Sequence, residues 1–248
     1  MSGLPTPYSV HVFDEVTSTQ DVAKALFQER PVVVVAGQQT AGRGRGGSDW
    51  VTAPRALAVT VAFASDWSPH VSVASLVAGL AAASILGPEV DLKWPNDLLV
   101  GDRKVGGILV EVAGRVVAVG CGVNLWWPDP PSERGALWTT DPGVGAGIGL
   151  GVAFAEELFS RLAGADWGAD QYRARCVTLA RPIAWSGGKS GFARDIDSQD
   201  GSLIVEVEGG EIVRLHAGEI RHVRLSPSEG GSTAEGGEGG LPASRDPR

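Results

Sequence analysis

The run Val32-Val33-Val34-Val35-Ala36 constrains the fold more than any other stretch of the chain. Four consecutive β-branched residues disfavour helix and favour strand. Because no polar residue alternates with them, both faces of that strand must be covered. The chain therefore has to build a sheet with other elements packed against each side. Gly37-Gln38-Gln39-Thr40-Ala41-Gly42-Arg43-Gly44-Arg45-Gly46-Gly47 follows directly. Such a loop is costly, because glycine loses the most backbone freedom on ordering and the two arginines repel. An anion that needs close backbone approach explains both features.

Patterning extends this frame. Residues 8–13 read as a strand and 18–28 as a helix, with Val22, Ala25 and Leu26 at helical spacing and a Ser18/Asp21 capping box. Further strands are expected over 57–63, 92–94, 98–100, 107–112 and 116–123, the last two joined by a turn at Ala113-Gly114-Arg115. Helices are expected over 71–86, 152–162 and 167–177. From 182 to 225, short alternating segments are punctuated by Gly187-Gly188, Asp200-Gly201 and Gly209-Gly210, the texture of a small β-barrel. Residues 226–248 hold Gly, Ser, Pro and Glu with almost nothing apolar and read as a disordered tail.

Charge and cysteine usage narrow the function. A net charge of −8 over 248 residues argues against a general nucleic-acid surface, so any basic site is local. Cys121 and Cys176 are far apart and form no C-x-x-C pattern, as suits a reducing compartment. The start carries no basic-then-apolar leader, and no run is apolar enough to span a bilayer. The reading is a soluble cytoplasmic protein. His11, His70, His216 and His222 show neither triad nor metal-ligand spacing, and no protein-only metal site is expected.

Gly42-x-Gly44-x-x-Gly47 matches a dinucleotide-binding pattern literally, but that pattern turns from a strand straight into a helix. Here five residues separate Ala36 from Gly42, and Trp50, Thr52 and Pro54 lead into another strand. The loop is expected instead to close over a ligand, with Arg43, Arg45 and glycine N–H groups around an anion. Lys93-Trp94-Pro95-Asn96-Asp97 and Asp102-Arg103-Lys104-Val105-Gly106-Gly107 set two lysines eleven positions apart on short strands, able to face one pocket. Asn96 and Asp97 can fix a turn through their side chains, and Asp97 can hold an ammonium or a cation. Gly120-Cys121-Gly122-Val123-Asn124 ends a strand open to a flat ligand, with an amide to read its edge. Taken singly, each of these is equally an ordinary polar turn.

Together they are specific. Ser18-Thr19-Gln20, the glycine-arginine loop from Gly37 to Gly47, the Lys93 motif, Arg103-Lys104-Val105-Gly106-Gly107-Ile108-Leu109 and Gly122-Val123-Asn124 stand in the order found in the biotin protein ligases. The chain resembles that family over about residues 8–225, in the short form without an N-terminal DNA-binding domain. The resemblance implies an α+β fold: a mixed sheet backed by helices, as in class II aminoacyl-tRNA synthetases, with a small Src-homology-3-like barrel. It divides the chain into a biotin- and ATP-binding catalytic domain (1–178), the barrel (179–225) and the tail. The implied chemistry is attack of the biotin carboxylate on the α-phosphate of ATP, with Mg²⁺, giving biotinyl-5′-adenylate and pyrophosphate. A lysine of a biotin carboxyl carrier domain of an acyl-CoA carboxylase then takes the biotinyl group and releases AMP.

The same resemblance assigns roles. Lys104, Arg45 and Lys93 are implied as catalytic, with Lys104 beside the biotin carboxylate and the α-phosphate. Ser18, Thr19, Gln20, Gln39, Arg43, Gly44, Arg45, Lys104 and Gly107 are implied for biotin, with Gln20 standing where Asn is commoner. Arg43, Arg45, Lys93, Asn96, Asp97, Asn124, Glu219 and Arg224 are implied for the nucleotide, Arg221 being a rival to Arg224 and Asp97 a candidate for the metal. Trp138 is a counterpart for the tryptophan that stacks on adenine in some members. A lipoate ligase is the nearest alternative, though an apolar dithiolane has less use for Ser18, Thr19, Gln20 and Gln39. A biotin-responsive repressor is the non-enzymatic one, and it needs a DNA-binding domain ahead of Ser18. The expected assembly is a monomer or weak homodimer that binds neither nucleic acid nor membrane.

Overall fold

A computed structural model describes residues 8–216 and the backbone of Arg224 and Leu225. The chain runs through β1 (Ser9–Val16), α1 (Thr19–Leu26) and β2 (Val32–Gln39). Two short strands, β3 (Gly42–Arg43) and β4 (Asp49–Trp50), then flank a 3₁₀ turn at Arg45–Gly47. After β5 (Arg55–Ala64), helix α2 (Ala74–Leu86) is entered through a second 3₁₀ turn. Strands β6 (Asp91–Lys93), β7 (Asp97–Val100), β8 (Arg103–Ala113) and β9 (Val116–Trp126) form an antiparallel meander. Helices α3 (Ala146–Leu162) and α4 (Ala169–Arg175) lead to β10 (Pro182–Trp185), β11 (Lys189–Ile196), β12 (Leu203–Glu206), β13 (Ile212–Leu215) and β14 (Arg224–Leu225). No helix among the described residues is long and apolar enough to cross a membrane.

The first sheet has the order β1-β2-β5-β9-β8-β7-β6 and is mixed, because β1 pairs parallel to β2 while the other pairs are antiparallel. The valine run lies in β2 with each member buried, as its composition demands. Alternation splits it between two cores. Val32 and Val34 pack with Ala23 of α1 on one face. Val33 and Val35 join α2 and α3 on the other. Fully burying a valine is worth about 1.5–3 kcal/mol, so these four residues secure both layers.

Helix α2 is apolar nearly all round and correspondingly buried among α3, α4, the first sheet and Gly201 of the turn between β11 and β12. The hairpin between β8 and β9 turns at Gly114-Arg115, with Gly114 at φ 59°, as the turn residues require. Helix α3 begins at Ala146, six residues before its expected start, although Gly147, Gly149 and Gly151 are poor helix formers. Close packing overrides propensity there. A Cβ on Gly147 would lie 2.2 Å from the Ala56 carbonyl oxygen, and one on Gly151 2.8 Å from Val35.

The second sheet is antiparallel with the order β13-β12-β11-β10-β14. Its Ile183, Trp185, Ala193, Ile196, Leu203, Val205 and Leu215 belong to the same buried cluster as the first sheet and α2. Trp94, fully buried, donates its indole N–H to the Gly201 carbonyl at 3.0 Å and so ties the β6 motif to the second sheet. The tail expected over 226–248 lies outside the described residues.

Candidate active site

One cavity of about 1310 Å³ collects the five sequence motifs. It exceeds the roughly 300–1,000 Å³ usual for a single ligand and so has room for two. Its walls come from the start of α1, the end of β2, the 42–50 hairpin, the 93–97 turn, β8, β9 and the 132–134 segment.

The α1 end is polar and dry. Ser18, Thr19 and Gln20 are all buried. Thr19 donates both its backbone N–H and its hydroxyl to Gln39 Oε1, at 2.9 and 3.1 Å, and accepts from the Thr60 hydroxyl at 2.8 Å. Gln20 donates from Nε2 to the Leu109 carbonyl at 2.9 Å, which leaves its Oε1 without a partner. The expected capping box does not form: Ser18 makes no side-chain cap bond. Asp21 instead accepts a bidentate pair from Arg43 at 2.6 and 2.8 Å, because a guanidinium fork outcompetes a single backbone N–H. Lys24 completes the cluster, 2.7 Å from Glu111, which also lies 3.4 Å from Arg43. The Arg43 hydrogen bonds are the chief reason that the Asp21 carboxyl titrates at about 2. Arg43 thus reaches the cavity with its charge already balanced by two carboxylates.

The lining also carries Lys104, Lys93 and Arg45. Lys104 Nζ lies 2.5 Å from Asp97 Oδ1, and Lys93 Nζ 3.9 Å from Oδ2 of the same carboxylate. Arg45 donates to Asn96 Oδ1 at 3.2 Å, and Asn96 is itself fixed through Nδ2 to the Ile108 carbonyl at 2.9 Å. Burial pulls the Arg45 pKa down, opposed by the Asp97 charge. Arg45, Lys93 and Lys104 therefore line one hollow, with both lysines beside the Asp97 carboxylate. Gly107 lies beside Lys104, where a Cβ would make an ordinary contact at 3.6 Å with Lys104 Cε. The hairpin is closed by the Gly44 N–H on the Ser48 carbonyl at 2.6 Å and needs glycine at 46 and 47, which adopt φ of 66° and 78°.

Asn124 is buried and donates from Nδ2 to the Gly135 carbonyl at 3.0 Å, leaving Oδ1 unpaired. Trp50, which the sequence reading passed over, lies against β9. A Cβ on Gly122 would come within 2.9 Å of its indole. The signal was present in Gly122, which makes room for a flat group, while Gly120 faces Gln20; that the flat group belongs to the chain itself was not readable. Trp138 does not line the cavity; its backbone N–H pairs with the Leu125 carbonyl at 2.8 Å. Arg134 and Arg181 also line the cavity and were missed, since each stands in a segment without motif character. Glu219 and Arg221 lie outside the described residues, as does the side chain of Arg224, whose backbone pairs with Ala184.

Among the described residues, five buried side-chain atoms have no hydrogen-bond partner: Ser18 Oγ, Gln20 Oε1, Trp50 Nε1, Asn124 Oδ1 and Arg134 Nη1. All five belong to residues that line this cavity. A buried polar atom left unpaired costs about 1–3 kcal/mol, so their concentration marks a surface shaped for a polar ligand. No group of three or more His, Cys, Asp or Glu side chains suited to a metal ion occurs among the described residues.

Comparison with known proteins agrees with this geometry. Residues 12–125 match the model of the biotin/lipoate A/B protein ligase family. A biotin–[acetyl-CoA-carboxylase] ligase of Mycobacterium tuberculosis is 37% identical over 214 residues, which cover 78% of this chain and 79% of that protein. A bifunctional ligase/repressor of Salmonella typhimurium is 30% identical over 200 residues, covering 71% of this chain and 62% of the relative. The fold is that of the Aquifex aeolicus biotin protein ligase solved in complex with biotin and ATP (TM-score 0.72, 22% identity, 88% of this chain and 99% of that one). The Leishmania major biotin protein ligase in complex with biotin is also similar (TM-score 0.61, 26% identity, 85% and 98% covered). The chain belongs to the biotin/lipoate A/B protein ligase family, among its biotin protein ligases.

Proposed function

We propose that the chain joins biotin to ATP as biotinyl-5′-adenylate and then transfers the biotinyl group to a lysine of a biotin carboxyl carrier domain. The observation that carries this reading is the set of five unpartnered atoms lining the cavity that also holds Arg45, Lys93 and Lys104. In the first step a biotin carboxylate oxygen bonds to the α-phosphorus, and the bond from that phosphorus to the bridging oxygen breaks, releasing pyrophosphate. The obstacle is repulsion between two anions: unit charges 4 Å apart cost about 4 kcal/mol at an effective dielectric of 20. Cations already held in position offset that repulsion without reorganising, and one such donor is worth about 3 kcal/mol in the transition state. Lys104 contacts the carboxylate and the α-phosphate, while Lys93 and Arg45 serve the phosphates. In the second step the neutral amine of the carrier lysine attacks the acyl carbon, and AMP leaves with the bonding electrons.

Ligand choice follows from the orphaned atoms. The ureido ring of biotin carries N–H donors and a carbonyl, which suit Ser18 Oγ and Gln20 Oε1 beside Thr19 and Gln39. The apolar dithiolane of lipoate would leave those atoms unpaired, a strong basis for rejection. Asn124 Oδ1 accepts from the adenine amine, and Trp50, rather than Trp138, offers the flat face. Magnesium enters with the ATP phosphates; Asp97, set among the lysines, is the cavity carboxylate that would hold it, where the ion would screen phosphate charge. A catalytic domain over 1–178 with a barrel over 179–225, a monomeric or weakly dimeric state and a cytoplasmic location complete the proposal. The test is to incubate the chain with ATP, a carrier domain and either biotin or lipoate, and to weigh the carrier. A mass increase with biotin alone supports the reading; no increase with biotin overturns it.

A further inference from the structure

We propose that Arg181 grips the terminal phosphates of ATP and the pyrophosphate that leaves, so that the entry to the second sheet supplies a residue to the adenylation step; the proposal rests on the ligase reading. Its place follows from how the chain approaches that sheet. Residues 176–178 run parallel to β6: Leu92 bridges to Cys176, Val177 N–H donates to the Leu92 carbonyl at 2.9 Å, and Trp94 N–H donates to the Thr178 hydroxyl at 2.9 Å. Arg181 follows three residues later, immediately before β10, and lines the cavity. β6 is the outer strand of the first sheet and carries Lys93, whereas α1 packs on β2, β5 and β9. Arg181 thus enters from the Lys93 edge, away from the α1 end that Ser18 and Gln20 line.

Backbone and charge both fit the role. Ala180 adopts φ 57°, the one non-glycine residue in the left-handed region among the described residues. Its N–H donates to the Ala193 carbonyl at 2.9 Å, and Ala193 N–H donates to the Arg181 carbonyl at 3.0 Å, so β11 holds the strained peptide from both sides. Strain of this kind gathers where a fold presents a side chain to a ligand. Arg43, Lys93 and Lys104 each stand against a carboxylate. Arg181 is partly buried, yet its side chain has neither a hydrogen bond nor an ion pair among the described residues. Such a guanidinium calls for an anion from outside the chain, and its fork of donors matches two oxygens of a phosphate. The biotin carboxylate is a single charge met by Lys104, whereas the β- and γ-phosphates bring most of the charge of ATP. When the bond from the α-phosphorus to the bridging oxygen breaks, its electron pair stays on that oxygen, and Arg181 stabilises the pyrophosphate that carries it away. A carboxylate on the incoming carrier is the competing ligand of like charge, and it takes no part in adenylation.

The experiment separates the half-reactions in wild type, Arg181→Ala and Arg181→Lys, all as full chains. Inorganic pyrophosphate is the probe, since it converts biotinyl-5′-adenylate back to biotin and ATP. We expect Arg181→Ala to raise the KM for pyrophosphate in that direction, and for ATP in the forward one, roughly tenfold. The KM for biotin and inhibition by AMP should stay within about twofold of wild type, because neither ligand carries the terminal phosphates. Transfer from isolated adenylate to a carrier domain should be unchanged, which also reports an intact fold. Lysine keeps the charge without the fork, so Arg181→Lys should recover part of the pyrophosphate affinity. An unchanged pyrophosphate KM in Arg181→Ala overturns the proposal, and slower transfer beside it would assign the residue to the carrier. An Arg181→Lys variant no better than alanine also overturns it, since charge would then have no role. A parallel rise in the biotin KM with slower transfer overturns it in favour of a structural role. A wild-type chain that releases no pyrophosphate with biotin and ATP removes the ligase reading itself, a result distinct from the others.

Discussion

Lys104 is held to Asp97 at 2.5 Å, yet its side chain remains 37% exposed, so the pair orients the ammonium without anchoring the fold. Exposed ion pairs contribute little stability. Replacing Lys104 with Ala is therefore expected to lower adenylate formation at least a hundredfold, about 3 kcal/mol, while the melting midpoint barely moves; pyrophosphate release and thermal circular dichroism check both. Gly122 gives a complementary prediction. A methyl group there would press on the Trp50 indole at 2.9 Å, so Gly122→Ala should raise the KM for ATP several-fold and leave the biotin KM unchanged. Steady-state kinetics with each substrate varied in turn separates the two. At this scale the sequence exposed the cations and glycines, whose chemistry and spacing are local. It did not expose Trp50 or Arg134, whose places in the cavity come from strands and segments brought together only by the fold.

The 42–50 hairpin shows how an element is held. It has two residue pairs of its own, Gly42 with Trp50 and Arg43 with Asp49, so its position over the cavity depends on side chains. Arg43 fastens one end to Asp21 and Glu111, and Arg45 reaches across to Asn96. Arg45→Gly is expected to speed dissociation of the adenylate roughly tenfold, read by release of radiolabelled adenylate from the isolated complex. Asp21 makes the first tether pH-dependent. Its folded pKa, about 2, lies below the ordinary carboxylate value of 3.8. The stabilisation is therefore complete above about pH 4 and fades as the pH falls through about 2. Because Asp21 is half exposed, solvent screening limits the effect to less than about 1 kcal/mol. Asp21→Asn should show that small deficit in urea unfolding at pH 7 and converge with wild type near pH 2. Periodicity made β2 and the β8–β9 hairpin legible, since burial and turn chemistry agree there. It hid the first turns of α3, where glycines serve contact with β5 and β2 rather than helix propensity, and it suggested a cap at Ser18 because the distant Arg43 was not in view.

Across the whole molecule the two sheets share one buried cluster. Trp94 is its clearest junction, packed out of solvent with its backbone N–H on the Thr178 hydroxyl and its indole N–H on the Gly201 carbonyl. Trp94→Phe removes the donor and some volume, and is expected to cost about 1–3 kcal/mol. Calorimetry should show a single transition moving to lower temperature rather than a split into two. Such a chain has no seam at which the C-terminal strands can be cut away. Leu76, Trp94 and the underside of α2 would then meet water as one oily face, and a shortened enzyme would clump before it could lose its substrates.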